Sequence, residues 1–255
     1  VLLGVTFLVY WKVAKHRLAR LLVLLGGSLL FYAAWDARPL LLFAWYAVVN
    51  HGFTLAWART TSPRLRRLWV GVAVTNHLAL LVFFKYADLL LSTWGWLGVK
   101  TGAWAMPAPL QLLLPVGLSF IAFQAISYVV DVHWGLVEPR HGFLEQLVYL
   151  LFFPQVVAGP IVRAPDLLER FEYEPWLTAH AGGRGLYRIA MGVTKKLLVA
   201  DVLAVGLIDP VFAAPEKYTS AETLVATVAY TFYIYFDFSA YSDIAIGAAA
   251  LFGFT

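Results

Sequence analysis

The 255-residue chain contains no cysteine. That excludes disulfides, thiol catalysis, cysteine-ligated zinc and iron–sulfur clusters. Charge is scarce too: 13% of the residues are Asp, Glu, Lys or Arg, about half the share of a soluble domain. No HEXXH metal pattern, P-loop or GXSXG nucleophile elbow occurs. No basic stripe with interleaved aromatics lies in a polar segment, which argues against a nucleic-acid partner. There is no internal repeat and no low-complexity tract.

What remains is apolar. Hydrophobic residues make up 61% of the chain and the mean hydropathy is +0.74. Several runs approach or exceed the ~20 apolar residues that cross a bilayer as a helix. They do not alternate in short segments, so a β-barrel is not indicated. The expected class is an all-α polytopic membrane protein, with residues 1–255 as a single transmembrane domain. The chain starts at Val1 and stops in the apolar "LFGFT", so a fragment truncated at the C-terminus is expected. The opening "VLLGVTFLVYW" reads as the end of a clipped span, because it lacks the charged start and cleavage site of a signal peptide.

Charge placement orders the spans. The first ends near Trp11, and Lys12, Lys15, Arg17 and Arg20 follow. Spans over 21–35 and 39–58 flank a turn in which Asp36 and Arg38 cancel. Arg59, Arg64, Arg66 and Arg67 precede a span over 68–84. Two basic loops around a neutral turn place those loops in the cytoplasm and the N-terminus outside. The Trp- and Gly-rich stretch Tyr86–Pro109 then reads as an outer interfacial segment, and a fifth span covers 110–130.

Counting fails beyond Asp131. "LVYLLFFPQVVAGPIVR" carries Pro154, Gly159 and Pro160 within an apolar run. Proline removes a backbone donor, and in lipid the freed groups need partners. Either a broken, re-entrant segment lining a cavity or a kinked ordinary span fits. Residues 163–184 read as an interfacial amphipathic helix, and Lys195, Lys196 and Asp201 interrupt the next apolar stretch. The run Ala221–Phe254 is long for a single span, at about 50 Å, so it must tilt strongly, protrude or break, with "DFSAYSD" the expected place for a break. Charged residues at bilayer depth are normally paired or wet. Asp237 and Asp243 therefore either border a polar cavity or tie helices together, with Lys195, Lys196, Arg163 and Arg188 as available partners. His51 and His77 lie within spans without companions at triad spacing, and read as packed histidines. His16, His133, His141 and His180 read as solvated loop residues.

Three motifs carry a resemblance. "FFPQVVAGPIVR" (152–163), "GVTKKLLVAD" (192–201) and "YIYFDFSAYSDIAIGAAALFGF" (233–254) are similar to consecutive motifs of the membrane-bound O-acyltransferases, in the alginate O-acetyltransferase-like branch. "FFKYADLL" (83–90) and "LLPVGLSFIAFQAISYVVDVHWG" (113–135) resemble the same branch in order, so the likeness covers nearly the whole chain. Ala240 stands where the branch commonly shows glycine.

The resemblance implies a multi-helix bundle with re-entrant segments around a tunnel. It implies transfer of an acyl group, acetyl in this branch, from a cytoplasmic thioester to hydroxyls of an extracytoplasmic polysaccharide such as alginate. The donor would be acetyl-CoA or another acyl thioester, and no cofactor would be bound permanently. The setting would be the bacterial inner membrane, with lipid, the donor, the polysaccharide and extracytoplasmic partner proteins as partners, and no nucleic acid. The family's catalytic histidine lies C-terminal to the "YFDFSGYSD"-like motif, and none of the histidines here matches it. No residue is therefore assigned as catalytic, and the chain alone is expected to be inactive. The candidates for a cavity wall are Pro154, Gln155, Gly159, Pro160, Arg163, Lys195, Lys196, Asp201, Asp237, Ser239, Tyr241, Ser242 and Asp243. No metal site is expected. Two other readings use the same residues: a transporter with intramembrane carboxylates, and a non-catalytic scaffold for polysaccharide export.

Overall fold

The computed structural model describes residues 1–102, 110, 112, 114–139, 142–156 and 159–254. Among them there is no strand, and helices follow one another from end to end. The first four are α1 (Leu2–Lys12), α2 (Arg17–Ala33), α3 (Pro39–Arg59) and α4 (Pro63–Thr101). After them come α5 (Leu118–His133), α6 (Phe143–Leu151), the single turn α7 (Ala164–Leu167) and α8 (Ala179–Lys195). The short α9 (Asp201–Leu203) and α10 (Asp209–Ala213) precede the long α11 (Ser220–Leu251). α3 and α4 are long and apolar enough to cross a bilayer.

The elements fall into two compact units. One comprises Ser28–Phe152 and Ile161–Glu172. Its core is built by α3, α4, α5 and α6, with Phe43, Tyr46, Ile121, Tyr128 and Tyr149 fully buried. Polar side chains in this core satisfy one another. Thr54 Oγ1 lies 2.8 Å from the Tyr128 hydroxyl, and Gln146 Nε2 donates to Thr54 Oγ1 at 3.0 Å. His77 is buried, stacks on Tyr46 and hydrogen-bonds Asn50 Oδ1 through Nε2 at 2.9 Å. It is the packed histidine that its isolation in the sequence suggests. The turn before α3 is neutral: Arg38 Nε and Nη2 donate to the Asp36 carboxylate at 2.9 and 2.8 Å. These bonds hold that carboxyl below its ordinary range.

The other unit comprises Val1–Gly27, Phe153–Pro160 and Tyr173–Thr255. α1 meets the end of α11 through aromatic rings, with Tyr10 and Phe252 centred 5.2 Å apart. Trp11 Nε1 donates to the Leu251 carbonyl at 3.1 Å.

Several sequence boundaries need correction. α4 does not stop at 84 but continues through the Trp- and Gly-rich stretch to Thr101. The polar residues there do not compete with the helix: the Ser92, Thr93 and Thr101 hydroxyls donate back to its own carbonyls. The helix ends at Gly102, whose left-handed φ of +71° favours glycine. The later part of the expected interfacial segment, from 103, lies outside the described residues. The fifth span starts at Leu118 rather than 110, after Pro115 and the left-handed Gly117 (φ +79°). No amphipathic helix covers 163–184. α7 and a 3-10 turn, Glu169–Phe171, give way to extended chain before α8. The expected break in "DFSAYSD" is absent, and α11 runs unbroken for 32 residues. Its start is fixed by a capping box between Thr219 and Glu222. The proline-bearing segment is broken as one reading expected: α6 ends at Leu151, and the chain turns through Pro154 and Gln155.

Candidate functional site

The helix that starts as α8 does not end at Lys195. It continues through two π-helical segments, Lys196–Ala200 and Ala204–Ile208, separated by α9. A π segment closes i→i+5 bonds and accommodates one extra residue within a helix. Its consequence is visible at once. Lys196 and Asp201 are five residues apart, a poor spacing on an α-helix, yet Lys196 Nζ sits 2.8 Å from Asp201 Oδ1.

Lys196 also reaches across to α11, where Nζ donates to Asp237 Oδ1 at 2.7 Å. Lys195 Nζ donates to Asp243 Oδ2 at 2.6 Å and to Ser239 Oγ at 2.9 Å. Ser239 and Asp243 are one turn apart on α11, so one ammonium group bridges both. The structure thus gathers Lys195, Lys196, Asp201, Asp237, Ser239 and Asp243 into one cluster. Two ammonium groups meet three carboxylates, leaving one formal negative charge. The Lys195–Asp243 pair is the more shielded, with side chains 28% and 23% exposed against 41% for both Lys196 and Asp237. Tyr233 presents its ring, not its hydroxyl, to Lys196 at 6.0 Å.

Glycine brings the two helices close enough for these bonds. A Cβ on Gly192 would lie 2.5 Å from the Ala240 carbonyl, and one on Gly247 would lie 2.6 Å from the Gly185 carbonyl. Gly185 and Gly192 are two turns apart on α8, forming the small-residue seam by which helices approach without the hydrophobic effect. Ala240 is fully buried in this seam. Its methyl is accommodated there.

The other candidates are placed as follows. Ser242 Oγ is buried and has no hydrogen-bond partner among the described residues. Tyr241 is half-buried on the same turn of α11. Pro154, Gln155 and Gly159 are buried and Pro160 is half-buried in the broken segment, where Gly159 N–H donates to the Gln155 carbonyl at 2.8 Å. A Cβ on Gly159 would fall 2.6 Å from the Gln155 backbone, so only glycine fits this tight return. Arg163 is not a partner of the α11 aspartates. It pairs with Asp131, which is 1% exposed, inside the other unit. Arg188 pairs with no carboxylate among the described residues. Asp131 was missed as a partner because it sits 32 positions from Arg163. The seven-residue glycine spacing was a legible signal that went unread. Among the described residues no group of three or more His, Cys, Asp or Glu could hold a metal.

No family model matches the chain. A "probable alginate O-acetylase" of Pseudomonas aeruginosa is 34% identical over 250 residues, 97% of this chain and 47% of the relative. A protein of the same name from Pseudomonas putida is 36% identical over 239 residues, 92% of this chain and 48% of the relative.

The chain is similar to the alginate O-acetylases over nearly its whole length.

A peptidoglycan O-acetyltransferase of Helicobacter pylori is also similar, 29% identical over 266 residues, 94% of this chain and 49% of the relative. The chain spans about half the length of these curated relatives. The lysine–carboxylate cluster lies within the tracts that carry the resemblance, and it ties α8 to α11.

Proposed function

We propose that this chain forms part of a membrane O-acyltransferase of multi-helix, re-entrant fold in the bacterial inner membrane, its N-terminus outside. It moves an acyl group, acetyl first, from a cytoplasmic thioester such as acetyl-CoA to hydroxyls of an extracytoplasmic polysaccharide such as alginate. The observation that carries this reading is the similarity to the alginate O-acetylases along 97% of the chain. The cluster gives the residues of this half a role. Lys195 and Lys196 are both tied into ion pairs with carboxylates, so neither is assigned as a base or nucleophile. Their work is to fix α11 against α8 and so to position a polar wall for the reacting groups. The broken segment around Pro154 and Gly159 supplies more of that wall. No residue of this chain is assigned as the general base.

A chimera tests the reading. This chain replaces the matched 250 residues of the Pseudomonas aeruginosa relative, and acetyl esters on secreted alginate are measured in cells lacking the native protein. Acetylation is expected. A chimera that accumulates in the membrane and leaves alginate unacetylated overturns the proposal.

A further inference from the structure

Outside the lysine–carboxylate cluster, the first half of α8 carries a second polar feature. His180, Arg184 and Arg188 follow at four-residue steps and fall within about 80° of one another around the helix. All three line one cavity of about 380 Å3. Trp176, Ile246 and Phe254 supply apolar wall, and no acidic side chain lines it among the described residues.

The contrast with the far end of the same helix is informative. Lys195 and Lys196 each have a carboxylate partner. Arg184 and Arg188 have neither hydrogen bond nor ion pair among the described residues. Like charges at i and i+4 repel by a few tenths of a kcal/mol, and nothing described in the protein offsets it here. An anion in the cavity would. Guanidinium forks match phosphate oxygens in pairs, while the indole, isoleucine and phenylalanine suit an apolar moiety.

We propose that this cavity binds a phosphate ester bearing an apolar part, held by Arg184 and Arg188. Tyr173, Trp176 and Tyr187 are exposed nearby in sequence. Aromatic and basic residues together are what a headgroup layer selects. An anionic phospholipid is therefore one source, and a soluble phosphate ester is the other. The site does not depend on acyl transfer, so failure of the chimera would leave it standing.

The test is calorimetric titration of the purified chain in neutral detergent with three probes: short-chain phosphatidic acid, short-chain phosphatidylcholine and inorganic pyrophosphate. Saturable binding of phosphatidic acid, with phosphatidylcholine much weaker, is expected. Preference for phosphatidic acid over pyrophosphate assigns a lipid, and equal binding assigns a soluble ester. R184Q/R188Q should weaken binding by about tenfold or more, the scale of one lost charge-assisted hydrogen bond. Lys217→Gln, which removes a cation that does not line the cavity, should change it by less than about twofold. R184K/R188K keeps the charge and loses the forks, so it should fall between, and it decides the matter if the glutamine variant folds poorly. Absence of saturable binding for both anionic probes, or an equal loss in Lys217→Gln, overturns the proposal.

Discussion

Asp243 and Asp237 look alike in sequence and differ in the fold. Asp243 shares Lys195 with Ser239 in the more shielded part of the cluster. Asp243→Asn leaves that ammonium group without a carboxylate and should lower stability by about 1–3 kcal/mol. Asp237→Asn leaves Lys196 its second carboxylate, Asp201, in a half-exposed setting, and should cost less than about 1 kcal/mol. Thermal unfolding in detergent distinguishes the two, and equal losses would sink this ordering. A similar asymmetry holds at Asp131, buried beneath the exposed Arg163. Arg163→Met strands a buried carboxylate and should destabilise more than the double variant Asp131→Asn/Arg163→Met. A double variant that melts below the single one would contradict this.

Between elements, the glycine seam and the π segment set what the charged residues can reach. Gly192→Val forces a side chain against the Ala240 carbonyl and the Ile244 side chain. It should destabilise by about 1–3 kcal/mol, the usual cost of overpacking. Gly206 has open space around its Cβ position, so Gly206→Ala should leave the melting temperature nearly unchanged or raise it. The π segment can be tested by length. Deleting the exposed Leu198 removes the surplus residue and returns the tract to α-helical register. Lys196 and Asp201 then stand four residues apart, a spacing at which an α-helix also brings the two side chains together. The pair should therefore survive the deletion, and Asp201→Asn should cost about the same in the deletion variant as in the parent. A much smaller cost of Asp201→Asn in the deletion variant would show that the pair needs the π turn.

For the whole molecule, the native lack of cysteine makes topology directly measurable. Single cysteines at Lys15 or Ser62 should react with an impermeant maleimide only from the cytoplasmic side, and one at Ala37 only from outside. The opposite pattern would invert the proposed orientation. Membrane class, the positions of α1 to α3 and the broken segment were all legible, because apolar run length and proline act locally. The family resemblance was legible in three quoted motifs. The extent of α4 and the continuity of α11 were not. Serine, threonine and aspartate look like breakers in a string of letters, and a helix keeps them when their polar atoms bond its own carbonyls, as at Ser92 and Thr93, or a neighbouring helix, as at Asp237 and Asp243.

What the sequence determined by itself is therefore the solvent of this protein, the order of its apolar segments and the set of polar residues that had to be compensated. Hydrophobic run length and the cost of an unpaired charge in lipid impose these whatever the packing. Only the tertiary structure decided which charge compensates which. Lys195 takes Asp243, Lys196 takes Asp201 and Asp237, and Arg163 takes Asp131, while Arg184 and Arg188 are left facing a cavity. Those choices depend on a π turn and a glycine seam that set helix register and separation, and pairing across 30 to 50 positions is readable only once the helices have met.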